Sequence, residues 1–322
     1  MNPLVSVIIP TYNSEKYIAR AIESVLQQTE PNVEVIVVDD ASVDGTLEVV
    51  QGYCSDQLKL LVNERNRGPS YTRNRGIKIA RGEWIAMLDS DDWYAPDRLE
   101  KLLQVAGAEN ADFIVDDLYL ITDGADKPWS TRFAEKLGFG SRPVRFNNIT
   151  QINAIDFVDL DLGLVKPIIK HSFLLQHQLE FDEELRYGED FKLYLIGLLN
   201  KAKFIVVPQP YYFYCSRSNS LITEHIKCQQ QMHDSALPLL QKELVKNTPK
   251  LTQSLKKRLS KLDISINTSL SGIRVVKPLK QGKLLIAFTE VLRNPLFFRY
   301  VAFEIPRRIE KHYSNLKFKA LV

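Results

Sequence analysis

Residues 84–93 hold the densest group of side chains that could do chemistry, because five mostly apolar residues lead directly into Asp89, Ser90, Asp91 and Asp92. A short apolar run with polar boundaries predicts a buried strand, and ligands of open α/β sheets bind just beyond the carboxyl ends of the strands. Carboxylates gathered there repel one another unless a cation lies among them. Mg²⁺ takes oxygen ligands and shares its other positions with substrate phosphates. The segment therefore predicts a site for a metal ion and a diphosphate.

A second acidic pair, Glu189 and Asp190, follows Gly188 at the start of a predicted helix. This position could direct a carboxylate at the predicted metal site. Acidic residues also favour the first turn of any helix because they complement the helix dipole. The residues alone therefore leave a chemical and a purely structural interpretation open.

Apolar strands and amphipathic helices alternate along the first two thirds of the chain. This alternation predicts an α/β fold with a mostly parallel sheet covered by helices on both faces. The polar residues that follow the first two strands should meet at one edge of that sheet. Predicted strands cover residues 5–9, 33–38, 58–62, 84–88, 113–115, 118–121 and 204–207; predicted helices begin near residues 14, 44, 69, 96 and 189, and one spans about 167–178.

The composition is that of an ordinary globular protein, since the 322 residues are 45% hydrophobic and 25% charged. Three cysteines, Cys54, Cys215 and Cys228, are too few and too scattered for a disulfide framework or a zinc site, so we expect reduced thiols. The N-terminus lacks a signal-peptide pattern, and no apolar run approaches the roughly 18 residues of a transmembrane helix. We therefore expect a cytoplasmic location for the catalytic part.

The charge is distributed unevenly. Residues 1–215 hold 22 Lys and Arg against 32 Asp and Glu, whereas residues 216–322 hold 20 against 7. Such asymmetry often marks a basic region that meets an anionic partner. On charge alone, nucleic acid, anionic lipid and acidic sugars are all candidates, but no nucleic-acid-binding motif is present and we expect no nucleic-acid partner.

Five motifs in order resemble glycosyltransferase family 2, whose members have the GT-A fold. The resemblance is to bacterial enzymes that build exopolysaccharide, capsule or lipopolysaccharide. It implies an inverting transfer from a nucleotide-sugar, usually a UDP-sugar, to a hydroxyl of a saccharide or lipid-linked acceptor. The resemblance covers roughly the first two thirds of the chain, so we expect a catalytic domain at 1–223. Residues 224–322 lie outside the resemblance, and their helical pattern and positive charge predict a helical basic region. The motifs are VSVIIPTYN at 5–13, VIVVDDASVDGT at 35–46, GPSYTRNRG at 68–76, GEWIAMLDSDDW at 82–93 and YGEDF at 187–191.

The resemblance assigns residues to the metal site and to the catalytic general base. Asp89 and Asp91 match the D-x-D motif, in which Asp91 would contact Mn²⁺ or Mg²⁺ directly and Asp89 would reach the ribose or the metal. Asp190 would be the general base, supported by Glu189. The competing explanation for Asp89 or Asp92 is a cap on the turn before Trp93.

The resemblance also implies the donor site. Asp39 would accept a hydrogen bond from the base, and a guanidinium such as that of Arg73 suits carbonyl and phosphate oxygens. Three alternatives stay open, because Tyr12 could be core, Asp40 could cap the following loop and Arg75 could be a solvated side chain. The implied nucleotide-sugar ligands are Pro10, Thr11, Tyr12, Asn13, Asp39, Arg73, Asp89, Ser90 and Arg217. His171 and His225 are weaker candidates, since a lone histidine is more often structural.

The C-terminal region has two interpretations of nearly equal weight. Aromatic residues alternate with arginines over 293–308, which is typical of a helix in a membrane interface. The alternative is a helical subdomain that packs its aromatic residues on the catalytic part. For the whole chain, the competing functions are a catalytically inactive nucleotide-binding or scaffold module and a sugar nucleotidyltransferase. The second lacks its expected glycine-rich phosphate loop, and the intact acidic motifs argue against the first.

Overall fold

The computed structural model describes residues 4–304, except 54, 136–145, 186, 217–237 and 239–248. Within these ranges the chain forms one large sheet flanked by helices. The strands are β1 Val5–Thr11, β2 Val33–Asp39, β3 Leu58–Val62, β4 Trp84–Met87, β5 Trp93–Tyr94, β6 Phe113–Thr122, β7 Ser130–Thr131, β8 Thr150–Ile152, β9 Ile168–Lys170 and β10 Phe204–Ser216. The helices are α1 Ile18–Leu26, α2 Thr46–Gln51, α3 Pro69–Ile79, α4 Arg98–Glu109, α5 Ala154–Asp159, α6 His171–Gln176, α7 Glu189–Leu199, α8 Pro249–Lys280, α9 Leu284–Arg293 and α10 Leu296–Arg299.

The sheet joins a parallel half to a mixed half. Its order is β3-β2-β1-β4-β9-β6-β10-β5, with β7 beside β6 and β8 beside β10. Strands β3, β2, β1 and β4 are parallel, so the sequence prediction is confirmed there. The short strand β9 pairs antiparallel with both β4 and β6. It therefore connects the two halves at the centre of the sheet.

Both faces of the sheet are covered, as the alternation of strands and helices predicts. On one face, Val7 and Ile9 of β1 pack with α1, α2 and α4. On the other, Ile8 packs with α3, α5 and α7. Gly76 of α3 permits this contact, because a Cβ atom there would lie 2.5 Å from the side chain of Ile8. The carboxyl ends of β1, β2 and β4 are thereby fixed at a common edge.

The predicted helix over 167–178 is wrong at its start. Residues 168–170 form β9, and α6 begins only at His171. Pro167 resembles a helix start signal, but the main-chain groups that follow it find partners in β4 and β6. The predicted break between 115 and 118 is also wrong, since β6 runs through it without interruption.

Within the described part of the C-terminal region, helix α8 packs against α5 and α7. Leucines and isoleucines of α8 belong to the same core as α5 and α7, and Arg258 of α8 pairs with Asp159 of α5 at 2.8 Å. The following helix, α9, instead leaves most of its apolar side chains exposed. Among the described residues, no helix is long and apolar enough to cross a membrane.

Candidate active site

Arg73 joins the acidic motifs that the sequence singles out. Its side chain is only 6% exposed, on the buried face of α3. One guanidinium nitrogen lies 2.9 Å from Asp89 Oδ1, and the other lies 2.7 Å from Glu189 Oε1 and 3.8 Å from Asp190 Oδ1. Asp89 follows β4, while Glu189 and Asp190 open α7. The end of a strand and the start of a distant helix therefore meet at one cation.

Lys166 is a second cation in the same cluster. Its Nζ lies 2.9 Å from Asp89 Oδ2 and 2.8 Å from Asp190 Oδ2, and its side chain is 7% exposed. Asp89 thus has one oxygen on Arg73 and the other on Lys166. Three carboxylates and two cations alternate in a buried network, which is how a fold can retain charges away from water.

This alternation shifts the ionisation of the buried groups. Burial opposes the charge on Asp89, but Lys166 and Arg73 outweigh it and hold the pKa of that carboxyl well below its usual range. Burial likewise opposes the charge of the Lys166 ammonium, yet Asp190 and Asp89 raise its pKa. Burial and then the neighbouring Asp190 raise the pKa of Glu189. Asp89 and Lys166 are therefore charged at neutral pH.

Gly188 sets the direction of the acidic pair on α7. Its φ is +80°, a left-handed conformation that favours glycine, immediately before the helix starts at Glu189. The first turn of α7 consequently faces Arg73 and Lys166 instead of solvent.

Asp92 forms part of the support beneath the site. Its Oδ2 accepts a hydrogen bond from the Tyr212 hydroxyl at 2.7 Å, and its Oδ1 accepts one from the Cys215 N–H at 2.8 Å. Burial, followed by the nearby charges of Asp91 and Asp89, raises the pKa of Asp92 well above its usual range. The side chain therefore ties the acidic loop to β10, which differs from the turn-capping alternative.

The first two strands deliver the predicted donor ligands to the same edge of the sheet. Tyr12 is 46% exposed, which excludes the core alternative for it. Thr11 is buried, and its Oγ1 has no hydrogen-bond partner in the described part of the chain. Asn13 accepts a hydrogen bond from the Val43 N–H at 2.9 Å and so links this edge to the loop after β2. Pro10 precedes them as the partner of Val38 in the β1–β2 ladder.

The two aspartates after β2 have different surroundings. Asp39 is buried and accepts hydrogen bonds from the side chain and the N–H of Ser42, at 2.5 and 2.9 Å. Asp40 accepts from Asn63 and from two main-chain N–H groups at 67–68, all between 2.7 and 2.8 Å. Asp40 therefore holds the loop before α3 and not the loop that directly follows it in the chain.

Three other candidates have defined surroundings. Ser90 shares a hydrogen bond with Ser14 at 2.7 Å, between the acidic loop and the loop after β1. Arg75 donates to the carbonyl of Val62 at 2.6 Å, so it is not simply a solvated side chain. His171 lies 3.0 Å from the carbonyl of residue 82, remote from the acidic cluster in its contacts. Arg217, His225, Cys54 and Cys228 lie outside the described residues.

The Glycosyl transferase family 2 model matches residues 6–161, a range that begins within β1 and includes β2–β4 and the acidic loop. The succinoglycan biosynthesis protein ExoO of Rhizobium meliloti (strain 1021) is 33% identical over 315 residues, which are 96% of this chain and 87% of ExoO. The chain belongs to glycosyltransferase family 2. It is a transferase, similar to relatives that act in bacterial polysaccharide biosynthesis.

Solved structures confirm the GT-A fold of this glycosyltransferase. S. aureus TarS 1–349 in complex with UDP-GlcNAc has a TM-score of 0.63 at 22% identity, covering 90% of this chain and 90% of that chain. The mannosyltransferase PcManGT of Pyrobaculum calidifontis, in complex with GDP-Man and Mn²⁺, has a TM-score of 0.60 at 16% identity, covering 98% of this chain and 83% of that one. At these identities the likeness establishes the fold.

The carboxylates of the glycosyltransferase fit a metal ion that is shared with a substrate. Within the described ranges, no group of three or more His, Cys, Asp or Glu side chains is arranged as a metal site. Both oxygens of Asp89 already face cations, and both oxygens of Asp92 accept protein hydrogen bonds. One or two carboxylates together with substrate phosphates suffice for Mg²⁺, so the acidic loop, which also contains Asp91, fits a cation completed by a diphosphate.

Sequence reasoning missed Lys166 and Arg98. Arg98 is fully buried, pairs with Asp116 at 2.8 Å and donates to the carbonyl of Lys166 at 2.7 Å. The signal available in the sequence was Lys166 itself, a lone lysine between the apolar residues 162–165 and 167–169. A lysine in such a run needs a buried partner, but nothing local indicates which carboxylate that is.

Proposed function

We propose that this glycosyltransferase moves a sugar from a UDP-sugar to a hydroxyl of a saccharide or lipid-linked saccharide, with inversion at the anomeric carbon. The observation that carries the proposal is the meeting of Asp89 and Asp190 on Lys166. A single ammonium group therefore lies between a carboxylate at the end of β4 and a carboxylate at the start of α7. A donor site and a base on opposite sides of a reacting carbon need this kind of arrangement.

The donor nucleotide would bind along the edge formed by β1, β2 and β4. The exposed ring of Tyr12 offers a surface for a planar base, and the unpartnered Oγ1 of Thr11 offers a buried hydrogen-bonding group. Asp39 is the proposed acceptor of a base N–H. TarS in complex with UDP-GlcNAc supports a UDP-sugar, whereas PcManGT in complex with GDP-Man shows that the fold also accommodates another nucleotide.

A divalent ion would be held by Asp91 and the donor diphosphate, with Asp89 on the ribose or metal side. When bound, it supplies positive charge to the departing diphosphate. The Mn²⁺ in the PcManGT structure supports this choice. Arg73 and Arg217 are the proposed protein cations on the donor side.

Asp190 would accept the proton of the acceptor hydroxyl. The hydroxyl oxygen forms a bond to the anomeric carbon, the bond from that carbon to the diphosphate oxygen breaks, and the nucleoside diphosphate leaves. A carboxylate suffices because correct placement of the two reactants contributes much of the rate. Glu189 would support the acceptor side while holding Arg73.

The relatives and the C-terminal surface support the proposed acceptor class. ExoO is named for succinoglycan biosynthesis, which supports a growing saccharide as acceptor. Helix α9 exposes Leu284, Leu285, Ile286 and Phe288. Five basic residues and a single acidic one, Glu290, lie between positions 277 and 299. Exposed apolar side chains with basic residues close to them in the sequence favour an anionic bilayer surface, so we propose peripheral attachment at the cytoplasmic face of the membrane, where a lipid-linked acceptor would lie.

Calorimetric titration with UDP, with and without Mn²⁺, tests the proposal. Binding to the wild type should strengthen with Mn²⁺, and Asp91→Asn should abolish this dependence. The matched variant Asp126→Asn, at an exposed turn, should behave as the wild type. Binding of GDP or dTDP in place of UDP would refute the donor assignment. Binding of no nucleotide would refute sugar transfer and favour an inactive module.

A further inference from the structure

We propose that Lys166 is a positioning residue for sugar transfer, holding Asp190 at a fixed distance from Asp89 across the reacting centre. This inference rests on the proposed role of Asp190 as the general base. Lys166 Nζ lies 2.8 Å from one Asp190 oxygen and 2.9 Å from one Asp89 oxygen. Arg73 also pairs with both residues but is held less closely on one side, at 2.9 Å from Asp89 and 3.8 Å from Asp190.

The burial of Lys166 shows that its position is held tightly. Its side chain is only 7% exposed, and such confinement removes most of the rotamer freedom of a lysine. Lys166 is nevertheless located outside the helices and strands, just before β9. An irregular segment needs other contacts to keep a side chain in one place.

Those contacts come from the Arg98–Asp116 pair. Both side chains are fully buried, and the Arg98 Nη2 donates to Asp116 Oδ1 and to the carbonyl of Lys166, at 2.8 and 2.7 Å. The Arg98 guanidinium also lies over the rings of Tyr94 and Tyr212, 4.3 and 5.3 Å from their centroids. A buried ion pair adds little net stability compared with apolar residues. Its effect here is geometric, since it anchors the main chain that carries the Lys166 ammonium.

The same assembly supports the other side of the reacting centre. The Tyr212 hydroxyl accepts a hydrogen bond from the Asp89 N–H at 3.3 Å and donates to Asp92. The ring of Tyr212 is one of the two that Arg98 covers. The same buried guanidinium therefore positions the main chain of Lys166 directly and the main chain of Asp89 through Tyr212.

Steady-state kinetics of Lys166→Met and Lys166→Arg test the inference. Lys166→Met should lower kcat on the order of 100-fold, as a small displacement of a base does, while donor KM and the Kd for UDP change by less than about threefold. Lys166→Arg retains the positive charge, so we expect it to retain the fold. The planar guanidinium of arginine, however, cannot occupy the same point between two carboxylates. We expect kcat to fall on the order of tenfold in that variant, again at constant donor KM. The control is Lys192→Met, which breaks a similar lysine–aspartate pair, 2.6 Å to Asp182, and should leave kcat unchanged.

A double-mutant cycle with Asp190→Asn separates this inference from the proposed function. If Lys166 acts through Asp190, Lys166→Met should have little further effect once Asp190 is asparagine. Multiplicative losses, losses in donor KM instead of kcat, or wild-type kcat in Lys166→Arg would each overturn the positioning role. Full activity of Asp190→Asn alone would instead refute the base assignment in the proposed function. If Lys166→Met does not fold, the kcat of Lys166→Arg decides between the outcomes.

Discussion

Arg73 and Glu189 are 116 positions apart in the chain, yet a guanidinium nitrogen of Arg73 donates to the Glu189 carboxylate over 2.7 Å. Both side chains are buried. The pair connects α3, which packs on β1, to the first turn of α7. It therefore holds the acidic start of α7 against the edge of the sheet where the donor is proposed to bind.

Replacement of Arg73 should lower the stability of the fold as well as the activity. Arg73→Met leaves buried carboxylates without a partner, so we expect the free energy of unfolding to fall by about 3–5 kcal/mol. Denaturant unfolding followed by circular dichroism measures this loss. The control is Arg81→Met, because Arg81 is 58% exposed and its buried partner Glu34, at 3.3 Å, keeps Lys59 at 2.8 Å; we expect a loss of about 1 kcal/mol or less. Equal losses in the two variants would contradict a structural role for the Arg73 cluster.

Replacement of the proposed base should affect turnover and not donor binding. Asp190→Asn should lower kcat by about 10²–10⁴-fold, because the amide cannot accept the hydroxyl proton. UDP affinity, measured by calorimetry, should stay close to that of the wild type. Asp182→Asn is the matched control, since Asp182 pairs with Lys192 away from the cluster. A variant of Asp190 that loses UDP affinity but retains kcat would be incompatible with the assignment.

Asp117 should give the stability of the protein a pH dependence. Burial raises the pKa of Asp117 to about 6 from an ordinary value of 3.8, against hydrogen bonds from Thr131 and the N–H groups of Leu118 and Phe133. The charge of Asp116 raises it further, and Arg132 is also close enough to interact.

The sign follows from proton binding, since the folded state holds the Asp117 proton more tightly than the unfolded chain does. Its contribution to stability is complete below about pH 4 and is lost as the pH rises through about 6, a change of at most about 3 kcal/mol. Asp117→Asn should abolish this component in unfolding curves measured across that range, whereas the exposed Asp126→Asn should retain it. Parallel curves for the wild type and Asp117→Asn would refute the prediction.

The exposed face of α9 should determine membrane attachment. Leu285 and Phe288 are 83% and 64% exposed, and their replacement by glutamate adds negative charge to a surface with basic neighbours. We expect Leu285→Glu/Phe288→Glu, or deletion of residues 284–322, to abolish flotation with vesicles that contain anionic lipid. Leu175→Glu, on the exposed surface of α6, should float as the wild type does. If the α9 variant still floats as the wild type does after salt washing, α9 does not attach the protein to the membrane.

The carboxylate motifs could be predicted from the sequence because their signals are local. Asp89 directly follows an apolar run that becomes β4, and Glu189 and Asp190 directly follow a glycine at a helix start. Parallel pairing of β1, β2 and β4 follows from the alternation of strands and helices. Tyr12 was ambiguous from the sequence, since an aromatic residue after a strand suits a core or a surface, and only its exposure decided between them.

The sequence determined the order of the acidic motifs, the parallel half of the sheet and the enzyme family, because each depends on residues that are neighbours along the chain. The two cations and their partners were decided by the tertiary structure. Lys166 reaches Asp89 and Asp190 because β9 inserts antiparallel between β4 and β6, a pairing that Pro167 and three residues of strand do not indicate. Long-range ion pairs depend on which elements become neighbours in space, and the pattern of any one segment does not contain that information.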